Sequence, residues 1–390
     1  MKKTHLQIVF IMKEGSSMSS VDNSVKGERI IILDRLRGFA LLGIFLMNIP
    51  GLAGVSPDAQ PVLRSFLEIL MQDSARPLFA IMFGLSIALL YDKTKIKDKN
   101  PYPMLVRRLV ILGIAGTIHA YAVWAGDILL MFAMGGFIML ALLKLSGKWL
   151  FVLGMSLWIF YTVGQDFYSN YLGISVTPAA VFGAQWESWK AIAGMTLFLN
   201  EFSSMLNHLG FFLLGIFIYR KEGIYFIVEH RLKMWLFSLL FFIVGFLGKT
   251  ALLLIPDNLF IQSLQNFFPF VLTLGVAIGV VLTGTSRTVA SKLLPPFTAV
   301  GRMTFTNYLL QSLVFTTVFT GRGQTIFQEG GIWTNPGYHF ALSLGLLFFV
   351  FQMIFSQLWM KKFYYGPFEW IWRVGTYGKL VPMIRENANK

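Results

Sequence analysis

Apolar runs long enough to cross a lipid bilayer recur along almost the whole chain, and this feature constrains the fold most. A spanning helix needs about 20 predominantly apolar residues, and backbone polar groups in lipid must find their partners within the segment itself. The sequence therefore predicts an all-α, polytopic transmembrane helix bundle of about ten spans. The ten runs cover residues 30–53, 75–92, 104–125, 127–146, 148–166, 202–220, 234–256, 264–285, 300–320 and 338–360.

The composition agrees with a membrane protein and narrows the available chemistry. Hydrophobic residues make up 55% of the chain and charged residues 13%, whereas soluble domains carry roughly 25% charged residues. The cysteine count is 0, which excludes disulfides and thiolate chemistry. The 5 histidines are scattered along the sequence, so we expect no metal centre. The sequence contains no Walker A motif and no nucleophile elbow.

Basic residues are distributed unevenly between alternate loops. If the N-terminus is cytoplasmic, all but five of the 33 Lys and Arg residues fall on the cytoplasmic side. Since cytoplasmic loops are enriched in such residues, the sequence predicts that both termini are cytoplasmic. The net charge of +14 then follows from topology, so we expect contact with the bilayer and its anionic lipids and none with nucleic acid. The five exceptions are Arg64, Arg76, Lys190, Lys249 and Arg322.

The chain divides into four parts by composition. The first is polar, and its short apolar stretch cannot form a signal-peptide core, so we expect a disordered cytoplasmic leader. A translation start at Met1 and one at Met18 are both consistent with this leader. A transmembrane half with spans one to five and an aromatic outer loop follows, then a half with spans six to ten and a cytoplasmic amphipathic tail. The four parts comprise residues 1–28, 29–200, 201–365 and 366–390.

Charged residues at the cytoplasmic end of the first span form a first group of candidates. Asp34 and Arg37 are three positions apart, which places them on one helix face and permits an ion pair. Gly38 leaves room for close approach of another helix or a ligand. The guanidinium groups of Arg35 and Arg37 suit phosphate recognition, although basic residues at this depth also serve as simple interfacial anchors.

A second group of candidates lies near the outer ends of the spans. His119 is followed by a turn, Trp124 to Asp127, that is short enough to make spans three and four a hairpin. Asp127 should therefore lie close to His119, and a carboxylate beside an imidazole is the equipment of a general base. A buried histidine bonded to a neighbouring helix is the competing interpretation. Asn48 and Arg76 share this depth.

A polar stripe runs along the ninth predicted span. Thr304, Asn307, Tyr308 and Gln311 follow the i, i+3, i+4, i+7 pattern of one helix face. In a helix bundle such a stripe either joins helices by hydrogen bonds or lines a cavity. The sequence leaves both possibilities open, and we treat Asn307, Tyr308 and Gln311 as candidate substrate-binding residues.

Several ordered motifs resemble those of the YeiB-like bacterial membrane proteins, the domain-of-unknown-function 418 family. The clearest is R-x-x-x-L-D-x-L-R-G-F-A-L-L-G-I-x-x-x-N, from Arg29 to Asn48. Similar stretches lie around Phe83-Gly84, from Arg107 through His119 and Trp124 to Asp127, from Val300 through Tyr308 to Ser312, and from Tyr365 to Arg373. The resemblance implies a multi-pass protein of the bacterial plasma membrane.

The resemblance also suggests an activity. The N-terminal half is similar to the catalytic domain of heparan-α-glucosaminide N-acetyltransferase, which implies transfer of an acyl group from cytosolic acyl-CoA to an acceptor at or beyond the outer leaflet. The family's catalytic histidine has no counterpart in the loop 51–74, so we expect His119 as the base, Asp127 to orient it, and Asn48, Trp124 or Gln311 to polarise the thioester. The alternative is a small-molecule transporter, with proton coupling as one option. No protein partner is indicated, and a homodimer stays open.

Overall fold

The protein is a helical bundle in a computed structural model that describes residues 20–286, 288–331 and 336–385. Within these residues the fold is all-helical apart from one β-bridge between Phe363 and Ile384, which confirms the predicted class. Residues 1–19 of the predicted leader lie outside the described residues. The helices are α1 (Ser20–Ala53), α2 (Pro61–Leu70), α3 (Ala75–Lys95), α4 (Tyr102–Ala122), α5 (Leu129–Leu142), α6 (Gly147–Leu172, with π-helical turns), α7 (Pro178–Phe182), α8 (Ala184–Lys190), α9 (Met195–Arg220), α10 (Gly223–Glu229), α11 (Arg231–Leu254), α12 (Leu259–Gln262), α13 (Phe267–Gly284), α14 (Pro295–Arg302), α15 (Thr304–Phe319), α16 (Gly321–Glu329), α17 (Tyr338–Lys362) and α18 (Pro367–Tyr377).

Eight helical segments of the described chain are long and apolar enough to cross a membrane. Two of the ten predicted spans form shorter helices: α5 has 14 residues and α15 has 16, about 21 and 24 Å at 1.5 Å per residue. The ninth predicted span is interrupted at Met303, whose backbone leaves the helical region between α14 and α15. The number of crossings and the side of the termini therefore stay predictions. The eight segments are Ile31–Ala53, Pro61–Lys95, Tyr102–Ala122, Gly147–Leu172, Met195–Arg220, Arg231–Leu254, Phe267–Gly284 and Tyr338–Lys362.

Helix α1 lies in the middle of the bundle and contacts α3, α13, α14, α15 and α17. Its closest approach is to α14, where a Cβ on Gly38 would lie 2.2 Å from the carbonyl oxygen of Phe297. A Cβ on Gly301 would in turn lie 1.7 Å from the carbonyl oxygen of Asp34. The two glycines thus let the helix backbones touch, which confirms the expectation that Gly38 admits a second helix.

The C-terminal helix α18 packs against the ends of α4 and α15. Trp372 Nε1 donates a hydrogen bond of 2.8 Å to the Arg108 carbonyl, and the Arg108 guanidinium lies 3.6 Å from the centre of the Trp372 ring. Phe368, one turn before Trp372, also packs against Phe305 of α15, whereas Ile371 is exposed. One face of the predicted amphipathic tail is therefore held by the bundle, and its cytoplasmic location stays a prediction.

Candidate active site

A cavity of about 580 Å³ extends into the bundle from the end that carries the basic residues. We call it the large cavity. Lys93 and Phe79 both line it from α3 and are fourteen positions apart, so it reaches about 21 Å along that helix. Its mouth is lined by basic side chains, its walls by apolar ones, and its inner end by Tyr308. The principal lining residues are Arg37, Lys93, Arg108, Arg302 and Arg373 at the mouth, Leu41, Phe79, Met82, Phe83 and Phe132 along the walls, and Ile128, Leu129 and Tyr308 at the inner end.

The predicted ion pair of the first span lines the large cavity. Arg37 Nη1 lies 2.7 Å from Asp34 Oδ1, and Arg37 Nη2 donates a hydrogen bond of 2.5 Å to Ser86 Oγ on α3. The pairing expected from the three-residue spacing is confirmed. Arg35 does not line the cavity: its guanidinium donates to the Gly284 carbonyl at 2.6 Å and to Oγ1 of the lining residue Thr298.

His119, Asp127 and Tyr308 form a buried hydrogen-bonded chain at the inner end of the large cavity. His119 Nδ1 and Asp127 Oδ1 are 2.9 Å apart, and their side chains are 3% and 0% exposed. The Tyr308 hydroxyl donates to the same carboxylate oxygen at 3.3 Å. It also accepts a bond from the backbone N–H of Ile128. The expected contact between His119 and Asp127 is thus present, and Tyr308 joins it to the cavity.

Local features of α4 and α5 position the carboxylate of Asp127. Its second oxygen, Oδ2, accepts a bond from the Leu130 N–H at 3.1 Å, where the positive end of the α5 dipole favours negative charge. Gly116 makes room for this arrangement, because a Cβ there would lie 2.5 Å from the Leu130 nitrogen and 3.0 Å from Asp127 Oδ2. The short turn and the missing side chain together bring the two helices into contact.

The polar stripe of α15 serves both purposes that the sequence left open. Asn307 Nδ2 donates to Ser356 Oγ at 3.0 Å, and Gln311 Nε2 donates to Gln352 Oε1 at 2.8 Å. Both partners lie on α17, so Asn307 and Gln311 join two helices, whereas Tyr308 lines the large cavity. The structure therefore does not bring Asn307 or Gln311 to the cavity where substrate binding was predicted.

The candidates Trp124 and Asn48 also lie away from the large cavity. The Trp124 ring packs against α1, where a Cβ on Gly51 would lie 3.2 Å from it, and it folds over Gly126 of its own turn. Asn48 is buried in α1. Neither residue lines the large cavity, so the structure does not place them as groups that polarise a substrate bound there.

A second cavity, of about 360 Å³, lies toward the opposite end of the bundle. We call it the small cavity. Arg76, predicted as a binding residue, lines it from the first turn of α3, and Arg64 lines it from α2, where Arg64 Nε lies 2.7 Å from Glu68 Oε1. Its lining comprises Ile44, Met47, Pro50, Pro57, Arg64, Glu68, Met71, Gln72, Asp73, Ala75, Arg76 and Tyr338.

Several functional candidates emerge only from the structure. Glu369 of α18 accepts hydrogen bonds at the start of α15, from the N–H groups of Phe305 and Thr306 at 2.7 and 3.0 Å and from the Thr306 hydroxyl. Burial raises the pKa of the Glu369 carboxyl, while these bonds act in the opposite direction. Arg302 and Arg373 line the mouth beside it, but in the sequence they are indistinguishable from residues that set topology.

Two known protein families together match nearly the whole length of this chain. Residues 29–255 match the family described as heparan-alpha-glucosaminide N-acetyltransferase, catalytic, and residues 218–379 match the protein family of unknown function DUF418. The first match covers more than half of the chain, so the chain belongs to that family, and it is similar to the YeiB-like membrane proteins. Through the first match the family is related to the transmembrane acyltransferase group.

Three relatives show how the similarity is distributed. The chain is 28% identical to the uncharacterized protein YxaH of Bacillus subtilis, over 95% of this chain and 99% of the relative. It is 28% identical to an uncharacterized 39.9 kDa protein of Bacillus acidopullulyticus, covering 92% and 96%. The uncharacterized protein YeiB of Escherichia coli is 26% identical, covering 93% and 100%. No solved structure matches the chain.

Proposed function

We propose that this protein is an integral-membrane acyltransferase that takes an acyl group from cytosolic acyl-CoA and passes it to an acceptor at or beyond the outer leaflet. One observation carries the proposal: a cavity with a basic mouth and apolar walls ends at a tyrosine bonded to a buried aspartate–histidine pair. The match to an acetyltransferase catalytic domain supports it. The proposal requires that the protein lies in the bacterial plasma membrane and that both of its termini are cytoplasmic.

The charge of the large cavity suits a donor that carries phosphate groups. Five cationic side chains line the mouth or the adjoining wall, against the two carboxyl groups of Asp34 and Glu369. Guanidinium groups bind phosphate oxygens in a bidentate manner. Deeper in, the aromatic walls formed by Phe83 and Phe132 suit the pantetheine arm and a short acyl chain.

The buried chain supplies a route for the proton that acyl transfer must move. The acceptor hydroxyl or amine attacks the thioester carbon, a new C–O or C–N bond forms, and the C–S bond breaks. As the acceptor loses its proton to the Tyr308 oxygen, the tyrosine's own proton passes to Asp127, where His119 shares it. The proton finally returns to the leaving sulfur, which departs as the free thiol of CoA, so the protein's groups end unchanged.

Donor binding is tested by thermal unfolding of the purified protein with acetyl-CoA, using desulfo-CoA and ATP as comparisons. A ligand that binds the folded state raises its apparent stability by mass action. We expect a saturable rise with acetyl-CoA that Arg37→Ala abolishes. Arg35→Ala is the matched control and should keep the rise, because its guanidinium faces Gly284 and Thr298. No rise at millimolar acetyl-CoA would refute the proposed donor.

Catalysis is tested by the release of free CoA thiol from acetyl-CoA in proteoliposomes, with glucosamine as the first acceptor probe. The protein contributes no background to a thiol-reactive dye, since its cysteine count is 0. His119→Ala and Tyr308→Phe should each lower the rate, by about 10²–10⁴ for loss of general acid–base catalysis. His230→Ala, which alters the end of α10 away from the cavity, should not. Undiminished release by His119→Ala would remove that residue from the mechanism.

Transport is the rival function, and the small cavity is the observation that favours it. A carrier exposes a binding path to both sides of the membrane, and this bundle has a cavity toward each end. The two functions differ in their need for acyl-CoA. Flux of a solute across proteoliposomes without acyl-CoA, together with no thiol release, would support the carrier.

A further inference from the structure

The large and small cavities approach each other at one residue of α1. Ile44 lines both of them, whereas Leu41 lines only the large cavity and Met47 only the small one. Successive turns of helix α3 also line different cavities: Ala75 lines the small cavity and Phe79 lines the large one. These two positions are four residues apart, so about 6 Å of helix separates the cavities.

The backbones of α1 and α3 are closely packed around this point, so the side chain of Ile44, and no backbone gap, lies between the cavities. A Cβ on Gly43 would lie 2.7 Å from the Cβ of Ala75, so α1 and α3 touch at this level. Phe79 packs against Phe132, another wall residue of the large cavity, with ring centres 5.3 Å apart. Ile44 itself is 2% exposed. Its side chain is thus buried and lines both cavities at the level where they approach each other.

The two cavities differ in chemistry on either side of Ile44. The small cavity carries Arg64, Glu68, Asp73 and Arg76 and opens at exposed residues such as Gln72, so it suits water and small hydrophilic molecules. The large cavity is apolar at the same level, where Leu41 and Phe79 line it. A hydrophilic molecule in the small cavity therefore meets an aliphatic side chain before it reaches the apolar walls.

We propose that the two cavities are parts of one path across the protein and that Ile44 is its barrier. The small cavity is the vestibule for a small hydrophilic molecule, which its charged side chains, Arg64, Glu68, Asp73 and Arg76, would solvate. The Ile44 side chain keeps water and solutes of this vestibule out of the large cavity. This inference goes beyond the proposed function, because such a barrier serves a transferase and a carrier equally.

The test uses single cysteines, which are the only thiols in this otherwise cysteine-free chain. Met82→Cys places a thiol in the large cavity and Gln72→Cys places one in the small cavity. A membrane-impermeant thiol reagent is added outside intact cells that express the full-length protein. With Ile44 present, we expect rapid modification of Gln72→Cys and slow modification of Met82→Cys.

Shortening the barrier should connect the cavities. In the Ile44→Ala background we expect modification of Met82→Cys to become about tenfold faster or more, with Ile44→Val intermediate and Ile44→Leu unchanged because its volume is conserved. Gln72→Cys should react at one rate in all backgrounds, which shows that any change at Met82→Cys is not a general change in access of the reagent, and the thermal unfolding temperature of each purified variant shows whether it is folded. Equal rates for Met82→Cys in the wild-type and Ile44→Ala backgrounds would overturn the inference, as would a Gln72→Cys that reacts only from the cytoplasmic side. If Ile44→Ala fails to fold, the Ile44→Val rate decides by the same criterion.

Discussion

Replacement of Asp127 by asparagine tests the buried chain with the loss of a single charge. The carboxylate receives three hydrogen bonds: from His119 and Tyr308 at Oδ1, and from the Leu130 N–H at Oδ2. An amide has only one oxygen and two N–H donors. Whichever way the Asn side chain turns, at least one of the three hydrogen bonds is therefore lost or must reverse its direction.

The expected cost follows from the orientation of that amide. If its oxygen faces His119 and Tyr308, the start of α5 loses its cap, which costs about 0.5–2 kcal/mol. If its oxygen faces Leu130, the His119 ring must take the other tautomer and the charge-assisted bond is lost, which costs about 1.5–3 kcal/mol. We therefore expect Asp127→Asn to lower the free energy of unfolding by about 1–3 kcal/mol.

Thermal unfolding in detergent, followed by tryptophan fluorescence, measures this change. The matched control is Asp257→Asn, which removes an exposed carboxylate in a turn and should stay within about 0.5 kcal/mol of the wild type. Tyr308→Phe is measured alone and combined with Asp127→Asn, because the destabilising effects of two changes in one hydrogen-bond network do not simply add. The reasoning is refuted if Asp127→Asn unfolds with the wild type, or if its effect and that of Tyr308→Phe simply add.

Three further predictions address the helix contacts. Gly301→Ala forces a methyl group against the backbone of Asp34. The cost of overpacking, reduced by the higher helix propensity of Ala, should lower the free energy of unfolding by about 2 kcal/mol. The control Gly113→Ala, whose Cβ would meet only an ordinary contact at 3.4 Å, should not lower the unfolding temperature. Gln352→Leu leaves Gln311 without its partner and should destabilise by about 1–3 kcal/mol, part of which the double variant with Gln311→Leu recovers, as denaturation of both variants will show. Burial raises the pKa of the Glu369 carboxyl, so the folded state binds a proton there more tightly than the unfolded state, and the free energy of unfolding falls as the pH rises through that pKa. Glu369→Gln should remove this part of the pH dependence of stability. An unchanged pH dependence would assign it to other groups.

The elements that sequence analysis predicted correctly are those set by local spacing. The apolar runs give the long helices, because each run must bury its backbone within itself. The Asp34–Arg37 pair follows from three residues on one helix, and the His119–Asp127 pair from a hairpin with a short turn. In each case the partners are close in sequence, so the backbone geometry alone brings them together.

The remaining features depend on contacts between distant helices. Tyr308 reaches Asp127 across 181 residues of sequence, and the same stripe of α15 sends Gln311 to α17 instead. A rotation about the α15 axis would exchange their surroundings, and a helical stripe does not specify which neighbour it faces. For the same reason Arg35 and Arg37, two residues apart, point to different places.

The sequence by itself determined that this chain is a helical membrane protein, which local pairs it forms and which family it belongs to, because hydropathy and short-range spacing act within single segments. Tertiary structure decided what those segments enclose. The crossing of α1 with α14 at Gly38 and Gly301, and with α3 at Gly43, fixes the space left between helices. That space becomes two cavities that meet at Ile44, since the volume left between packed helices depends on all of their side chains at once.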